Sequence, residues 1–391
     1  MSVPVGYVVT VVLAAWCTFF AVVAPRRPGP VARMSWLFGF LINEMPFLGI
    51  YYLVASTGLA AAEGDLDSRA GKITAGLAVI TIAGLAVSAW WGVRSDRAVE
   101  HALEQGLGTA WRDRVTAHLR DHRPWIRILL TPFVRSRHDV ERIKDISYGA
   151  GGRRNLLDVY RRRDVPQHAP VLIYFHGGGF TSGKKSHEAR PLLTRLASQG
   201  WVCISANYRL RPQVQFPDHQ IDAKRVIAWV GEHGQTYGAD PSRLFVAGSS
   251  AGANIAGLCA LTPNDPMFQP GFESVDTTVS GGILLYGYYG HYFGEEPDGP
   301  APELQPQGYV DKAAPPLFIA HGTSDGWGTV EGARHFANRL RRAADNTVVY
   351  AELPGGQHSF DLFHSPRFEA VVDGAEAFAA WVLATEEPRA V

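Results

Sequence analysis

Three long stretches of this chain carry no charged side chain: Met1 to Ala24, Met45 to Ala62 and Ile73 to Val93. The run from about Val3 to Ala24, at about 1.5 Å per helical residue, is long enough to cross a bilayer core of roughly 30 Å. The pattern predicts about three membrane-spanning helices within residues 1–93. A cleaved signal peptide fits less well, because the start, Met-Ser-Val-Pro-Val-Gly-Tyr, lacks a basic residue. Glu44 interrupts the apolar pattern. It is expected at the headgroup edge, where a carboxylate costs little, with Trp36 to Ile42 lying along the interface or extending the second helix.

Polarity then changes character. Residues 94–140 read as a helical linker or cap, with Ala98, Leu103, Leu107, Trp111, Val115 and Leu119 at roughly helical spacing among charges. Within it, Pro124 to Phe133 is apolar and flanked by Arg123, Arg127, Arg135 and Arg137. It reads either as a patch resting on a membrane or as a segment packed over the site.

From residue 141 to the end, continuous apolar strands alternate with helices. Strands are expected at Leu156–Arg161, Val171–Phe175, Trp201–Ala206, Arg243–Ala247, Gly282–Tyr286, Leu317–Ala320 and Val348–Glu352. Helices are expected near Glu188–Ser198, Asp222–Glu232, Ala251–Leu261, Val330–Ala344 and Phe368–Ala384. Such alternation indicates an α/β domain, a mainly parallel sheet covered on both faces. Pro297 to Pro306 reads as a surface excursion.

Charge and cysteine narrow the function. The 391 residues hold 37 basic and 37 acidic side chains, so the clustered basic excess of a nucleic-acid binder is missing. Cys17, Cys203 and Cys259 form no metal-binding spacing and read as small apolar fillers. No cofactor or metal is expected. Loop charges give the orientation: Arg26, Arg27 and Arg33 follow the first span, Glu63, Asp65 and Asp67 the second, and Arg94 and Arg97 the third. The positive-inside rule places the N-terminus outside and the large C-terminal part in the cytoplasm, a multi-pass membrane protein.

Two motifs carry chemistry. Gly248-Ser249-Ser250-Ala251-Gly252 matches G-x-S-x-G, with an apolar strand before it and a helix-forming run after it. Small residues there let the chain turn sharply and lift the Ser250 hydroxyl to the head of a helix. His176-Gly177-Gly178-Gly179-Phe180 follows another strand, and its glycines let backbone N–H groups approach a substrate closely. Oxyanion donors are expected from Gly178, Gly179 and Ala251, with Gly177 as a substitute. His176 is expected to fix this loop. A serine nucleophile also needs a base and an acid that orients the base. Asp325 and His358 both follow strands, at the C-terminal ends where α/β sites assemble. The assignment is Ser250 as nucleophile, His358 as general base and acid, and Asp325 holding the imidazole tautomer. Glu331 is the rival acid, and His219, His291 and His321 are less well placed bases; Asp361 is too near His358 in sequence to orient it. Tyr286, Tyr288, Tyr289, Tyr292 and Phe293 either line an acyl pocket or pack as a surface loop.

Residues from about 140 to 385 resemble the bacterial hormone-sensitive-lipase-like esterases, most closely the actinobacterial, including mycobacterial, Lip carboxylesterases. The resemblance rests on both motifs and on Asn207-Tyr208-Arg209-Leu210, Phe216-Pro217-Asp218-His219, Asp222 to Val230, Asn264-Asp265-Pro266, Phe268 to Glu273 and Glu352 to His358. It implies an α/β-hydrolase fold, a Ser-Asp-His triad and cofactor-free hydrolysis of carboxylic esters. Two positions depart from that pattern. Ser249 stands where many relatives have Asp, and Asp325 runs into Gly326-Trp327-Gly328-Thr329 where an apolar residue and Pro are usual.

The combined reading is a membrane-anchored serine carboxylesterase or lipase acting on a lipophilic acyl ester. An acyltransferase or deacetylase working on membrane-associated acyl groups shares the same chemistry. A non-catalytic membrane scaffold on a hydrolase fold is the alternative from another class.

Overall fold

The computed structural model describes residues 3–27, 29–115, 123–133, 136–165, 167–289 and 305–385. Its centre is an eight-stranded sheet of β1 Val140–Ser147, β2 Leu156–Arg162, β3 Ala169–Phe175, β4 Val202–Ala206, β5 Ala239–Ser249, β6 Gly281–Leu285, β7 Leu317–Gly322 and β8 Val348–Leu353. The strand order is β1-β2-β4-β3-β5-β6-β7-β8. β2 runs antiparallel to both its neighbours, β1 and β4, and every other pair of neighbouring strands is parallel. This is the α/β-hydrolase arrangement.

Successive side chains of a strand face opposite sides, and β3 shows the consequence. Leu172 and Tyr174 enter one core, while Val171, Ile173 and Phe175 enter the other. The helices, in chain order, are α1 Val5–Val22, α2 Gly29–Glu44, α3 Pro46–Ala62, α4 Arg69–Leu107, α5 Trp111–Arg114, α6 Trp125–Leu130, α7 Arg190–Ser198, α8 Asp218–His233, α9 Ala251–Leu261, α10 Val330–Ala343 and α11 Pro366–Thr385. α7 and α11 cover the first face, and α8, α9 and α10 the second. Both faces being dry explains why the central strands read as unbroken apolar runs.

β1 was not among the expected strands. Its sequence Val-Glu-Arg-Ile-Lys-Asp-Ile-Ser mixes charge with isolated aliphatics because it is a half-exposed edge strand.

The residues on either side of 93/94, read as a third span and the start of a helical linker, lie in one helix. α4 is one helix of 39 residues, roughly 58 Å long. Ser68 caps its start by accepting the Gly71 N–H at 2.9 Å. Its last turns carry Val99, Ala102 and Leu103 into the core beside α11 and β8. The helical spacing read as a linker is an apolar stripe that walls the sheet. In α6, Ile128 is buried, whereas Ile126 and Leu130 are exposed. Phe133 stacks edge-on against Phe363 at 5.5 Å.

α1, α3 and the first half of α4 pack on one another around Val11, Leu53, Ala78 and Leu85. Small residues allow the close approach: a Cβ on Gly84 would meet the Thr18 methyl at 2.8 Å. Their outward faces are apolar, including Val9, Leu13, Trp16, Val54, Leu59, Val79 and Ile80. α1 and α4 are long and apolar enough to cross a membrane, and the α2–α3 pair passes the same test if counted as one bent span. The bend is 83°. It falls at Met45-Pro46, where the missing proline N–H ends the α2 ladder and suits the first turn of α3.

Glu44, expected at the headgroup edge, is buried inside the protein. It is 2% exposed, and its carboxylate accepts from Arg367 and from the Ser365 hydroxyl, the latter at 2.6 Å. The bend turns the end of α2 into the α/β domain, where Arg367 at the head of α11 is fully buried and needs a counter-charge.

Candidate active site

Ser250 sits between the end of β5 and the start of α9, with φ 54° and ψ −118°. A side-chain-bearing residue seldom adopts this conformation, and it costs on the order of 1–3 kcal/mol. The turn persists because its neighbours are too crowded for any relaxation. A Cβ on Gly252 would overlap the Phe175 carbonyl oxygen, and one on Gly248 would overlap the Gly252 carbonyl. The Ser250 N–H donates to the Leu285 carbonyl at 3.0 Å, which pins the turn to β6.

The hydroxyl points at His358. Its Oγ lies 2.8 Å from Nε2, and Nδ1 of the same ring lies 2.8 Å from Asp325 Oδ2. Asp325 is fully buried, and its Oδ1 accepts the N–H groups of Trp327 at 2.7 Å and Gly328 at 2.9 Å. Burial opposes its charge. The adjacent His358 and His321 and the backbone donors outweigh burial and hold the carboxyl below its ordinary value. The resulting tautomer has Nδ1–H donating to Asp325 and Nε2 accepting from Ser250. Sequence separations of 108 and 33 residues thus converge on one imidazole.

The glycine loop lies alongside. A Cβ on Gly177 would stand 3.1 Å from Ser250 Cβ. Gly178 has φ 112° and Gly179 φ 58°, and a Cβ on Gly178 would overlap the Ser182 carbonyl oxygen. The Ala251 N–H opens α9, where the first amides of a helix have no intrahelical acceptor. Gly177 is different: its N–H donates to Glu188 Oε2 at 2.5 Å, so the expected substitute donor is already engaged. His176 is buried, its ring stacks on Tyr208 at 4.4 Å, and Nδ1–H donates to the Gly177 carbonyl at 2.6 Å. Burial pushes it down to about 4, leaving a neutral ring that ties the loop.

The rivals lie elsewhere. Glu331 pairs with Arg26 at the surface at 3.2 Å. His219 donates to the Arg209 carbonyl at 2.7 Å. His321 Nε2 donates to the Gly328 carbonyl at 2.9 Å, bracing the acid loop, and approaches Asp325 Oδ2 to 3.5 Å. His291, Tyr292 and Phe293 lie outside the described residues. Tyr289 stacks on Phe336 at 4.4 Å within the core.

Sequence reasoning missed a buried polar cluster behind Ser250. The Tyr174 hydroxyl lies 2.6 Å from Ser249 Oγ, 3.0 Å from Asp361 Oδ2 and 3.4 Å from Glu188 Oε2. The Ser249 hydroxyl donates to Asp361 Oδ2 at 2.5 Å, and the Tyr286 hydroxyl donates to Oδ1. Tyr286 also sets its ring edge-on to His358 at 4.6 Å. The one available signal was Ser249 itself: the acid expected before the nucleophile is absent, and Asp361 brings a carboxylate there from across the fold.

Burial, then repulsion from Asp361, raises the Glu188 carboxyl above its usual range, and burial raises Asp361. The folded chain therefore holds protons that the unfolded chain has released. Stability from this pair is full below the ordinary carboxylate range and is lost as pH rises through the folded values. Replacing Glu188 by Gln keeps an acceptor for Gly177 and removes that titration. Its melting temperature is expected to fall less between about pH 5 and about pH 8 than that of the parent, as differential scanning fluorimetry would record. Equal slopes would count against the assignment.

Comparison with known proteins follows this geometry. The BD-FAE family profile matches residues 157–281. A probable carboxylic ester hydrolase of Mycobacterium tuberculosis, LipM, is 36% identical over 98% of this chain and 94% of its own length. Esterase LipQ of the same organism is 37% identical over 74% of this chain and 76% of its own length. Among solved structures, the apo form of Thermogutta terrifontis esterase 2 superposes with TM-score 0.53 at 23% identity, covering 61% of this chain and 92% of that one. At that identity the likeness speaks for the fold alone.

Proposed function

Because the chain belongs to the family of these mycobacterial carboxylic ester hydrolases, we propose that it is a membrane-anchored serine carboxylesterase working through Ser250, His358 and Asp325. The family membership carries the ester-hydrolase activity. The observation that supports the residue roles is the His358 ring, 2.8 Å from Ser250 Oγ on one side and 2.8 Å from Asp325 on the other.

In this reading His358 Nε2 takes the hydroxyl proton as Ser250 Oγ attacks the ester carbonyl carbon. The carbonyl oxygen becomes an oxyanion and turns toward the N–H groups of Gly178, Gly179 and Ala251. Collapse expels the alcohol, which leaves with the proton from His358. Water then gives one proton to the same nitrogen as its oxygen bonds to the acyl carbon; the bond to Ser250 Oγ breaks, Oγ takes the proton back from His358, and the acid leaves. Asp325 keeps Nδ1 protonated and offsets the imidazolium charge. A second alcohol in place of water would give acyl transfer by the same steps.

The apolar helices favour a substrate met at a bilayer. α1, α3 and the first half of α4 form three crossings in this proposal, their exposed apolar faces turned to lipid. Arg26, Arg27, Arg33, Arg94 and Arg97 lie toward the hydrolase end of the bundle, and Glu63, Asp65 and Asp67 at the opposite end. The positive-inside rule then assigns the hydrolase domain to the cytoplasm. The chain is expected to stay in the membrane pellet through an alkaline carbonate wash. A reporter fused to the C-terminus is expected to signal inside. Release by carbonate would remove the anchoring, and an external signal would reverse the orientation. A series of p-nitrophenyl esters from acetate to palmitate tests the ester class, with a maximum of kcat/KM beyond the shortest acyl chains expected of a lipophilic substrate.

A further inference from the structure

α2 touches both loops that carry the catalytic acid and base. Near its start, the Arg33 guanidinium lies 5.6 Å over the Trp327 ring, and Trp36 meets the same ring edge-on at 5.5 Å. Gly326 approaches so closely that a Cβ there would stand 2.8 Å from the Ala32 carbonyl oxygen. Gly326 and Trp327 follow Asp325 directly, and Asp325 accepts the Trp327 N–H. At its other end, the Asn43 side-chain N–H donates to the Gly355 carbonyl at 2.9 Å, three residues before His358. Asn43 Oδ1 accepts from Arg367 at 2.8 Å, and Arg367 also donates to the Pro354 carbonyl at 3.1 Å. Glu44 supplies the counter-charge for that guanidinium.

The two loops are also tied to each other. The Ser324 N–H donates to the Gly356 carbonyl at 2.9 Å, and the Gly355 N–H donates to the Thr323 hydroxyl oxygen at 2.9 Å. The loops form one unit, and α2 lies across it. Asn43, Glu44 and Arg367 are each 2% exposed or less. Their hydrogen bonds act where water does not compete, so their directions are enforced.

We propose that α2 is a positioning element of the catalytic centre: Asn43 sets the His358 loop through Gly355, and Trp36 sets the Asp325 loop through Trp327. The inference rests on the proposed roles of Ser250, His358 and Asp325. It assigns the N-terminal region a second task beside anchoring. The bend at Met45-Pro46 joins α2 directly to α3, so the anchoring helices and the imidazole belong to one connected framework.

The test uses the full chain in detergent micelles with p-nitrophenyl butyrate. Asn43→Ala removes the clamp on Gly355. Trp36→Leu keeps apolar bulk and loses the ring contact with Trp327; being half-buried, it also serves if Asn43→Ala does not fold. Thr57→Val is the control, since Thr57 bonds Tyr7 at the far end of the bundle, at 3.0 Å. A misplacement of about 1 Å at a catalytic group costs roughly 100-fold. Asn43→Ala is expected to lower kcat about 10- to 100-fold with KM within about twofold. Trp36→Leu is expected to show the same split with a smaller loss, and Thr57→Val no change in kcat.

Unaltered kcat in a folded Asn43→Ala or Trp36→Leu chain, or a loss carried by KM alone, would overturn the proposal, whatever happens to melting temperature. So would a fall in kcat no larger than the fall in folded fraction seen by circular dichroism. If the parent chain itself fails to hydrolyse the ester, the proposed function fails instead, and the two failures are distinguishable.

Discussion

Replacing Ser250 by Ala is expected to abolish ester hydrolysis, by about 10⁴-fold or more in kcat, with the fold intact. The magnitude follows from the geometry. Ser250 Oγ is the hydroxyl within 2.8 Å of His358 Nε2, whereas the adjacent Ser249 hydroxyl points the other way, to Asp361. Among the described residues no neighbouring nucleophile is poised to replace it. His358→Gln is expected to cost about as much, since an unassisted serine hydroxyl is a poor nucleophile at neutral pH. Asp325→Asn is expected to cost about 10⁴-fold by favouring the wrong imidazole tautomer while leaving the packing in place. These losses should not add. The double variant Ser250→Ala/His358→Gln is expected to match the worse single variant, because the two groups act as a unit. Initial rates with p-nitrophenyl butyrate, together with labelling by a fluorophosphonate, check all four. A Ser250→Ala chain retaining a tenth of parental activity would remove the nucleophile assignment.

The residues proposed for catalysis were legible because each lies at a strand end, and strand ends show as a switch from apolar runs to glycine. Val171–Phe175 before His176, and Arg243–Ala247 before Gly248, mark where the sheet delivers the chain to the site. The same rule located Asp325 and His358 after β7 and β8. What was not legible depended on contacts between distant segments. Glu44 looked like a surface carboxylate because nothing near it in sequence is basic; its partner, Arg367, is 323 residues away. α4 looked like a span followed by a linker because its apolar stripe faces helices in one half and the sheet in the other, so periodicity persists while composition changes. Asp361 looked idle because its role depends on three hydroxyls from β3, β5 and the turn after β6. β1 was missed because an edge strand with charges on both faces has no apolar run to mark it.

The largest stability effect away from the catalytic residues is expected at Asp361. It is fully buried and accepts from Tyr174, Ser249 and Tyr286. Asp361→Ala leaves these hydroxyls facing a void, and each buried donor without an acceptor costs about 1–3 kcal/mol. Partial rearrangement of the shared Tyr174–Ser249 bond, 2.6 Å long, limits the total to about 3–5 kcal/mol. For a domain of this size that lowers the melting temperature by on the order of 10 °C. Asp361→Asn is expected to be much milder. Burial raises the Asp361 carboxyl toward its neutral form; a neutral amide keeps the shape and an acceptor oxygen for Tyr174 and Ser249, and its NH2 is met by the Tyr286 oxygen once that hydroxyl turns from donor to acceptor. The contrast separates a polar framework from a charge requirement. Activity adds a second contrast, since Tyr286 bridges Asp361 to the edge of the His358 ring. Asp361→Ala is expected to lower kcat beyond its effect on folded fraction, while Asp361→Asn keeps most of it. Thermal melts and rates on both variants decide the matter. Equal destabilisation by Asn and Ala would mean that the cluster depends on an ionised carboxylate and that the pattern of donors and acceptors alone does not hold it together.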